Sequence, residues 1–217
     1  MVAGTVYHHG VEYALKQKMA KELAIVEEVR DIMCDRWAVE VGADVIEGAE
    51  VKSLDWGEDN PEDLKSKILT LAEVYIKTVL PDMNPVAVEK KLDGDIGGVP
   101  FLGYVDAILP GPGVVDHKFA KRRMDQGSAN KDMQITTYAC LLKQPVWGAF
   151  HQALDQKKPV INIVLTQRGL ADMEWYTVLV QKVWAAIQTG IFPPNPLTWK
   201  CGPNCEYEMA CRVLMED

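Results

Sequence analysis

Two short runs decide the fold: Gly103-Tyr104-Val105-Asp106 and, just downstream, Val114-Val115-Asp116-His117-Lys118. Between them lies Pro110-Gly111-Pro112-Gly113, which can only be a turn. The flanking residues, Val99 to Leu109 and Val114 to Ala120, are rich in β-formers and predict two strands. Upstream, Gly97-Gly98 is a hairpin signal, and Val86 to Ile96 predicts a strand before it. The middle of the chain therefore reads as a three-stranded meander. Alternation places Asp116 and Lys118 on one face of their strand and His117 on the other. The short connection brings Asp106 beside Asp116.

Outward from the meander the period changes. Apolar residues at helical spacing (Val11, Leu15, Met19, Leu23, Val26, Val29 and Met33) predict one long helix over residues 10–41, breaking near Gly42. An acidic, irregular stretch runs from Glu47 to Asn60. Asn60 then caps a helix with Pro61 in its first turn. Leu64, Ile68, Leu71, Val74 and Tyr75 form its apolar face, and it ends before Pro81. After the meander, a helix is expected from Lys131 to Lys143 and a buried, strongly apolar strand from Pro159 to Thr166. A last long helix spans Ala171 to Gln188, although Trp175-Tyr176-Thr177 also suits a strand. This order predicts a mixed α/β fold with a central sheet flanked by helices. It reads as a single domain over residues 1–217, with a helical part (1–80), a core (86–190) and a Cys-containing tail (191–217).

The composition is that of a globular chain, with 48% hydrophobic and 25% charged residues among 217. No apolar run is long enough to span a bilayer, and no signal peptide is evident, so a cytoplasmic protein is expected. The net charge of −8 argues against a protein that coats nucleic acid. It does not exclude an enzyme whose carboxylates bind metal, because a bound cation reverses the local sign. Against that acidic background stands one basic cluster, Lys118, Lys121, Arg122 and Arg123.

Asp106 and Asp116 on adjacent strands make a site for a hard cation such as Mg²⁺, which prefers oxygen ligands. A lysine held by the same carboxylates can position an attacking water or stabilise charge growing on a phosphate. Polar residues inside otherwise apolar strands need such a reason.

The ordered set of Glu89, Gly98-Val99-Pro100-Phe101-Leu102-Gly103-Tyr104-Val105-Asp106, Val114-Val115-Asp116-His117-Lys118 and Gln134-x-x-x-Tyr138 resembles the RecB-like branch of the PD-(D/E)xK nucleases. Gly4 to His8, followed by Glu12, resembles that branch's early histidine motif, with His9 as an adjacent alternative to His8. The resemblance implies a restriction-endonuclease-like core and hydrolysis of phosphodiester bonds with Mg²⁺ or Mn²⁺. By position, Asp106, Asp116, the backbone carbonyl of His117, and His8 would bind metal, with Glu89 nearby. Lys118 would attend the water, and Gln134 and Tyr138 would contact substrate or orient Lys118. The implied protein is a DNA exonuclease of bacterial or phage type, trimming linear single- or double-stranded DNA in recombination, repair or phage DNA processing. It would work in the cytoplasm of a bacterial or phage-infected host cell, as a homo-oligomer or with a recombination-protein partner. An inactive binding module of the same fold and a structure-specific endonuclease are the alternatives.

The five cysteines are unevenly placed, with Cys201, Cys205 and Cys211 crowded into the tail. Three tail cysteines with one from near the N-terminus hold a 4Fe-4S cluster in many members of this branch, and four thiolates are the usual set. Here the fourth ligand is Cys34, or else Cys140, or the chain has lost the cluster.

Overall fold

A computed structural model describes residues 2–42, 56–57, 59–190 and Cys205. Five strands, β1 (Ala87–Ile96), β2 (Val99–Leu109), β3 (Gly113–Ala120), β4 (Val146–Leu154) and β5 (Val160–Arg168), form one sheet in sequential order. All neighbours are antiparallel except β3 and β4, which run parallel. The meander is therefore as the sequence predicts. Gly97 and Gly98 take φ of 63° and 83°, the left-handed pair that a two-residue hairpin needs. A parallel pair requires a crossover, which here carries α4 (Gln126–Lys131) and α5 (Met133–Leu142).

Helices α1 (Val2–Met19), α2 (Val26–Gly42) and α3 (Pro61–Thr78) cover one face of the sheet. Tyr7, Val11, Leu15, Met33, Ile68 and Tyr75 meet Ala107, Val115, Ala149 and Ala153 there. Asn60 caps α3, its Oδ1 accepting from the backbone N–H groups of Glu62 and Asp63. On the other face α5 and α6 (Leu170–Gln188) close two smaller clusters around Ile135, Tyr138, Phe150 and Tyr176. The outer layers are thus helical and the sheet is central, which is the restriction-endonuclease-like α/β architecture expected.

Three expectations need correction. The helix expected over residues 10–41 is two helices. Lys21, at φ 62°, ends α1 in a left-handed turn in which Glu22 N–H donates to Gln17 O. The chain then folds back, leaving Leu23 exposed although it fits the apolar period. Gly10 permits the close return, because a Cβ there would overlap Met33 Sδ. The helix expected from Lys131 to Lys143 is present as α5; the short α4 precedes it, and Asp132 separates the two. Its extended backbone stops α4, and its Oδ1 caps α5 by accepting from Gln134 N–H.

Strand β4 has no counterpart in the sequence reading. It is buried along nearly its whole length, so it shows no alternation. Its small residues answer to close packing: a Cβ on Gly148 would come within 2.8 Å of Ile135. Finally, β5 is not a buried strand but a sheet edge among the described residues, with Ile163 and Leu165 exposed.

Arg168, at the end of β5, ties the crossover to the sheet. It is 3% exposed and donates to Thr136 Oγ1, Thr166 Oγ1, and the carbonyls of Gln167, Ala129 and Asp132 at 2.6–2.8 Å. Removing these donors would strand several buried acceptors. Arg168→Met is expected to lower unfolding free energy by roughly 3 kcal/mol, read as a lower urea midpoint at unchanged m-value.

Candidate active site

Strands β2 and β3 pair from Leu109·Gly113 to Ala107·Val115 and then part. The next pair would be Asp106 and Asp116. Instead Asp106 Oδ2 accepts the backbone N–H of His117 at 2.6 Å, so a side chain replaces the ladder. On its other side Asp106 faces Glu89, whose φ is +49°, and the β1–β2 ladder skips this one pair. The local distortion reverses the alternation of β2. Val105 packs in the α5 layer, whereas Ala107 packs in the α1–α3 layer. Asp106 sits at the reversal, which lets residues from both layers reach one cleft.

That cleft is open and has a volume of about 1280 Å³. Its wall brings together His8 from α1, Glu89, Asp106, Asp116, Lys118 and Gln134. Ligand atoms of His8, Glu89 and Asp106 all lie within 4.8 Å of one another. His8 Nδ1 is 3.6 Å from Asp106 Oδ2, whereas His9 turns to Glu12 at 3.7 Å. Of the two adjacent histidines, His8 is therefore the one at the carboxylates. Asp116 stands apart from that trio, and its Oδ2 is 2.9 Å from Lys118 Nζ.

Lys118 is held from two further directions. It donates to Gln134 Oε1 at 3.0 Å, and its ammonium lies 5.2 Å from the Phe150 ring centre. Gln134 Nε2 donates to Tyr138 Oη, which donates to Tyr104 O. Tyr138 is 3% exposed, so it anchors Gln134 and α5 to β2, and its contact is with protein. Burial raises its hydroxyl above the usual range.

The carboxylates are electrostatically crowded. Burial first, then the charges of Asp106 and Glu12, push Glu89 up to about 7. Burial and the charge of Asp106 also raise Asp116, with Lys118 opposing. Burial alone would raise Asp106, but the hydrogen bonds and charge of His117, helped by His8, hold it below the ordinary carboxylate range. Three acids share one place in which protons, or a cation, must offset their charge. A donor set of carboxylate oxygens and one imidazole fits Mg²⁺ or Mn²⁺.

His117 points away from Asp116, as alternation predicts. Its Nδ1 is 3.4 Å from Asp106 Oδ2, and its Nε2 shares a hydrogen bond of 2.9 Å with Tyr75 Oη. Tyr75 Oη also meets His151 Nδ1 at 3.4 Å. His117 and His151 are register partners on β3 and β4. The sequence reading missed this buried chain of Tyr75 and His151. Tyr75 read as part of an apolar helix face, and His151 had no strand to belong to.

Of the cysteines, Cys140 is buried in α5 with Sγ 3.8 Å from Met173 O, and burial raises its thiol. Cys34 packs half-buried against the α1–α3 core, and Cys205 is half-buried. Cys201 and Cys211 lie outside the described residues. Among the described residues no cysteine joins a metal-binding group, and no helix is long and apolar enough to cross a membrane.

The family model of the PD-(D/E)XK nuclease superfamily matches residues 1–212, and the chain belongs to that superfamily. Its members are nucleases that use divalent metals. A crystal structure from Eubacterium rectale, described as a candidate exonuclease, is similar in fold. Its TM-score is 0.51 at 14% identity over 84% of this chain and 71% of that one. No curated protein matches the chain.

Burial, and then the charge of His117, hold His151 down at about 3. An unfolded histidine titrates near 6.5, so between about pH 6.5 and 3 the unfolded chain binds the extra proton. Stability contributed by neutral His151 is therefore present at pH 7 and falls as pH drops, by up to about 1.4 kcal/mol per unit. Urea unfolding at pH 7 and 5 should show this loss, and His151→Asn should lessen the slope.

Proposed function

We propose that this chain is a divalent-metal-dependent deoxyribonuclease that degrades linear DNA from its ends. The observation that carries this reading is the convergence of His8, Glu89 and Asp106 within 4.8 Å, beside the Asp116–Lys118–Gln134 chain in one open cleft. Superfamily membership supplies the nuclease chemistry, and the similar fold of a candidate exonuclease favours action at ends.

In this reading His8, Glu89, Asp106 and Asp116 hold the cation, joined by the carbonyl of His117. A divalent cation there would stabilise the charge that develops on the phosphate during hydrolysis. Lys118 Nζ, fixed by Asp116 and Gln134, donates a hydrogen bond to the attacking water and orients it in line with the leaving oxygen. Tyr138 acts through Gln134 and keeps Lys118 from swinging out. Tyr75 acts through His117 and fixes the segment that binds Asp106. Residues 1–217 would work as one nuclease unit, because His8 and the β-strands build the site together.

The test is digestion of end-labelled linear single- and double-stranded DNA with Mg²⁺ or Mn²⁺, beside closed circular DNA and an EDTA control. Cleavage of linear DNA alone, stopped by EDTA, is the expected outcome. Cutting of circles would make it an endonuclease, and no cleavage with either metal would leave an inactive binding module. Asp116→Asn is expected to reduce cleavage by more than about 100-fold. Without metal the variant should melt no lower than wild type, because a crowded charge is removed. Added Mn²⁺ should raise the wild-type melting temperature more than the variant's. Lys118→Met should slow cleavage about 100-fold while DNA binding is retained.

A further inference from the structure

Beyond Lys121 the surface dips again into a depression of about 770 Å³, lined by Lys67, Asp155, Gln156, Lys157 and Lys158. Ala120 and Lys121 line the first hollow and Asp155 lines the second, so both open at the ends of the parallel strands. Asp155 N–H donates to Ala120 O at 2.9 Å, so the chain leaving β4 lies beside the chain leaving β3. Lys121, Arg122 and Arg123 follow β3, Lys157 and Lys158 follow β4, and Arg123 Nη1 donates to Asn162 Oδ1 of β5 at 3.1 Å. From above, Lys67 of α3 reaches Asp155 Oδ1 at 2.8 Å. Asp59, on the rim of the main cleft, is bound by Lys121 at 2.8 Å and feels the charge of Lys67.

Six cationic residues thus lie at these strand ends or are bound to them, in a chain whose net charge is −8. Both carboxylates are already engaged by lysines. Arg122, Lys157 and Lys158 have no acidic partner among the described residues. Concentrated positive charge on an acidic protein marks a place where a polyanion is wanted. The basic patch adjoins the cleft that holds Asp116 and Lys118.

We infer that this ridge of Lys67, Lys121, Arg122, Arg123, Lys157 and Lys158 carries the phosphate backbone of the nucleic-acid strand leaving the cleft. It grips nucleotides beyond the one being cut. The inference rests on the nuclease reading. The contacts are with phosphates, so they set affinity and salt dependence and carry no sequence preference. Lys67 also secures the nearly buried Asp155 carboxylate, so the exposed pair Lys157 and Lys158 is the better probe.

The experiment is the double substitution Lys157→Gln/Lys158→Gln in the full chain. Affinity for a long single strand is measured in EDTA across a salt series, and cleavage of that strand and of a tetranucleotide is measured with Mn²⁺. The matched control is Lys143→Gln/Lys182→Gln, on the α5–α6 side. The ridge variant should bind the long strand about tenfold more weakly, with a salt slope lower by about 1.4, for two lost phosphate contacts. Its cleavage of the tetranucleotide should match wild type, and the control pair should leave the slope unchanged. An unchanged slope, or equal losses in ridge and control variants, overturns the inference while leaving the nuclease intact. A ridge that serves an acidic protein would give that unchanged slope. A wild-type protein that neither binds nor cleaves DNA overturns the nuclease reading, and this inference with it.

Discussion

Asp106 accepts the backbone N–H of His117 at the point where β2 and β3 separate. A sheet that stayed paired there would satisfy that N–H with a carbonyl, and the two aspartates would face opposite neighbours across a closed ladder. By taking the place of a ladder bond, the Asp106 carboxylate keeps the fork open without leaving a buried donor unpaired. Glu89 yields on the other side by adopting a left-handed backbone. Such strain persists only where the surroundings fix it, and here both strands of the hairpin are fixed by regular pairing above and below. His8, Lys118 and Gln134 line one cleft because β2 changes face at Asp106.

The electrostatics follow from the same fork. Separated strands leave three acids half-enclosed in low dielectric, and two of them are raised as a result. Asp106 differs because His117 serves it with both its backbone N–H and its ring. Behind that ring stand Tyr75 and His151, so the residue that serves Asp106 is itself held from a buried layer. The crossover helix performs a parallel task for Lys118. Arg168 secures the carbonyl of Asp132, Asp132 caps α5, and α5 delivers Gln134.

Much of this was legible in the sequence because turn chemistry is local. Gly97-Gly98, Pro110 to Gly113 and Asn60-Pro61 each fix a backbone geometry by themselves, and the elements they bound were read within a few residues. Asp116 and Lys118 were legible because alternation puts them on one strand face, Asp106 because a short turn brings it beside them, and Gln134 through the resemblance. What escaped depends on tertiary packing. Strand β4 is covered on both sides by helices, so its pattern of Gly, Ala, His and Gln matches no amphipathic template. The break at Lys21 replaces the expected glycine with a lysine in the left-handed region, and the apolar period runs through it undisturbed. Strand β5 looked buried because a row of aliphatic residues cannot report that its sheet ends there. His9 stood as an alternative to His8 until the helix phase of α1 was known.

The location of His8 has a consequence for how the site is assembled. It lies in the second turn of the first helix, while its partners wait on strands formed from the middle of the chain. α1 reaches those strands by packing against them with α3, through contacts between residues far apart in the sequence. A chain in which α1 is undocked would keep the aspartates and the lysine but would lack His8 beside them. The cluster of His8, Glu89 and Asp106 thus exists only where the helical layer and the sheet are joined.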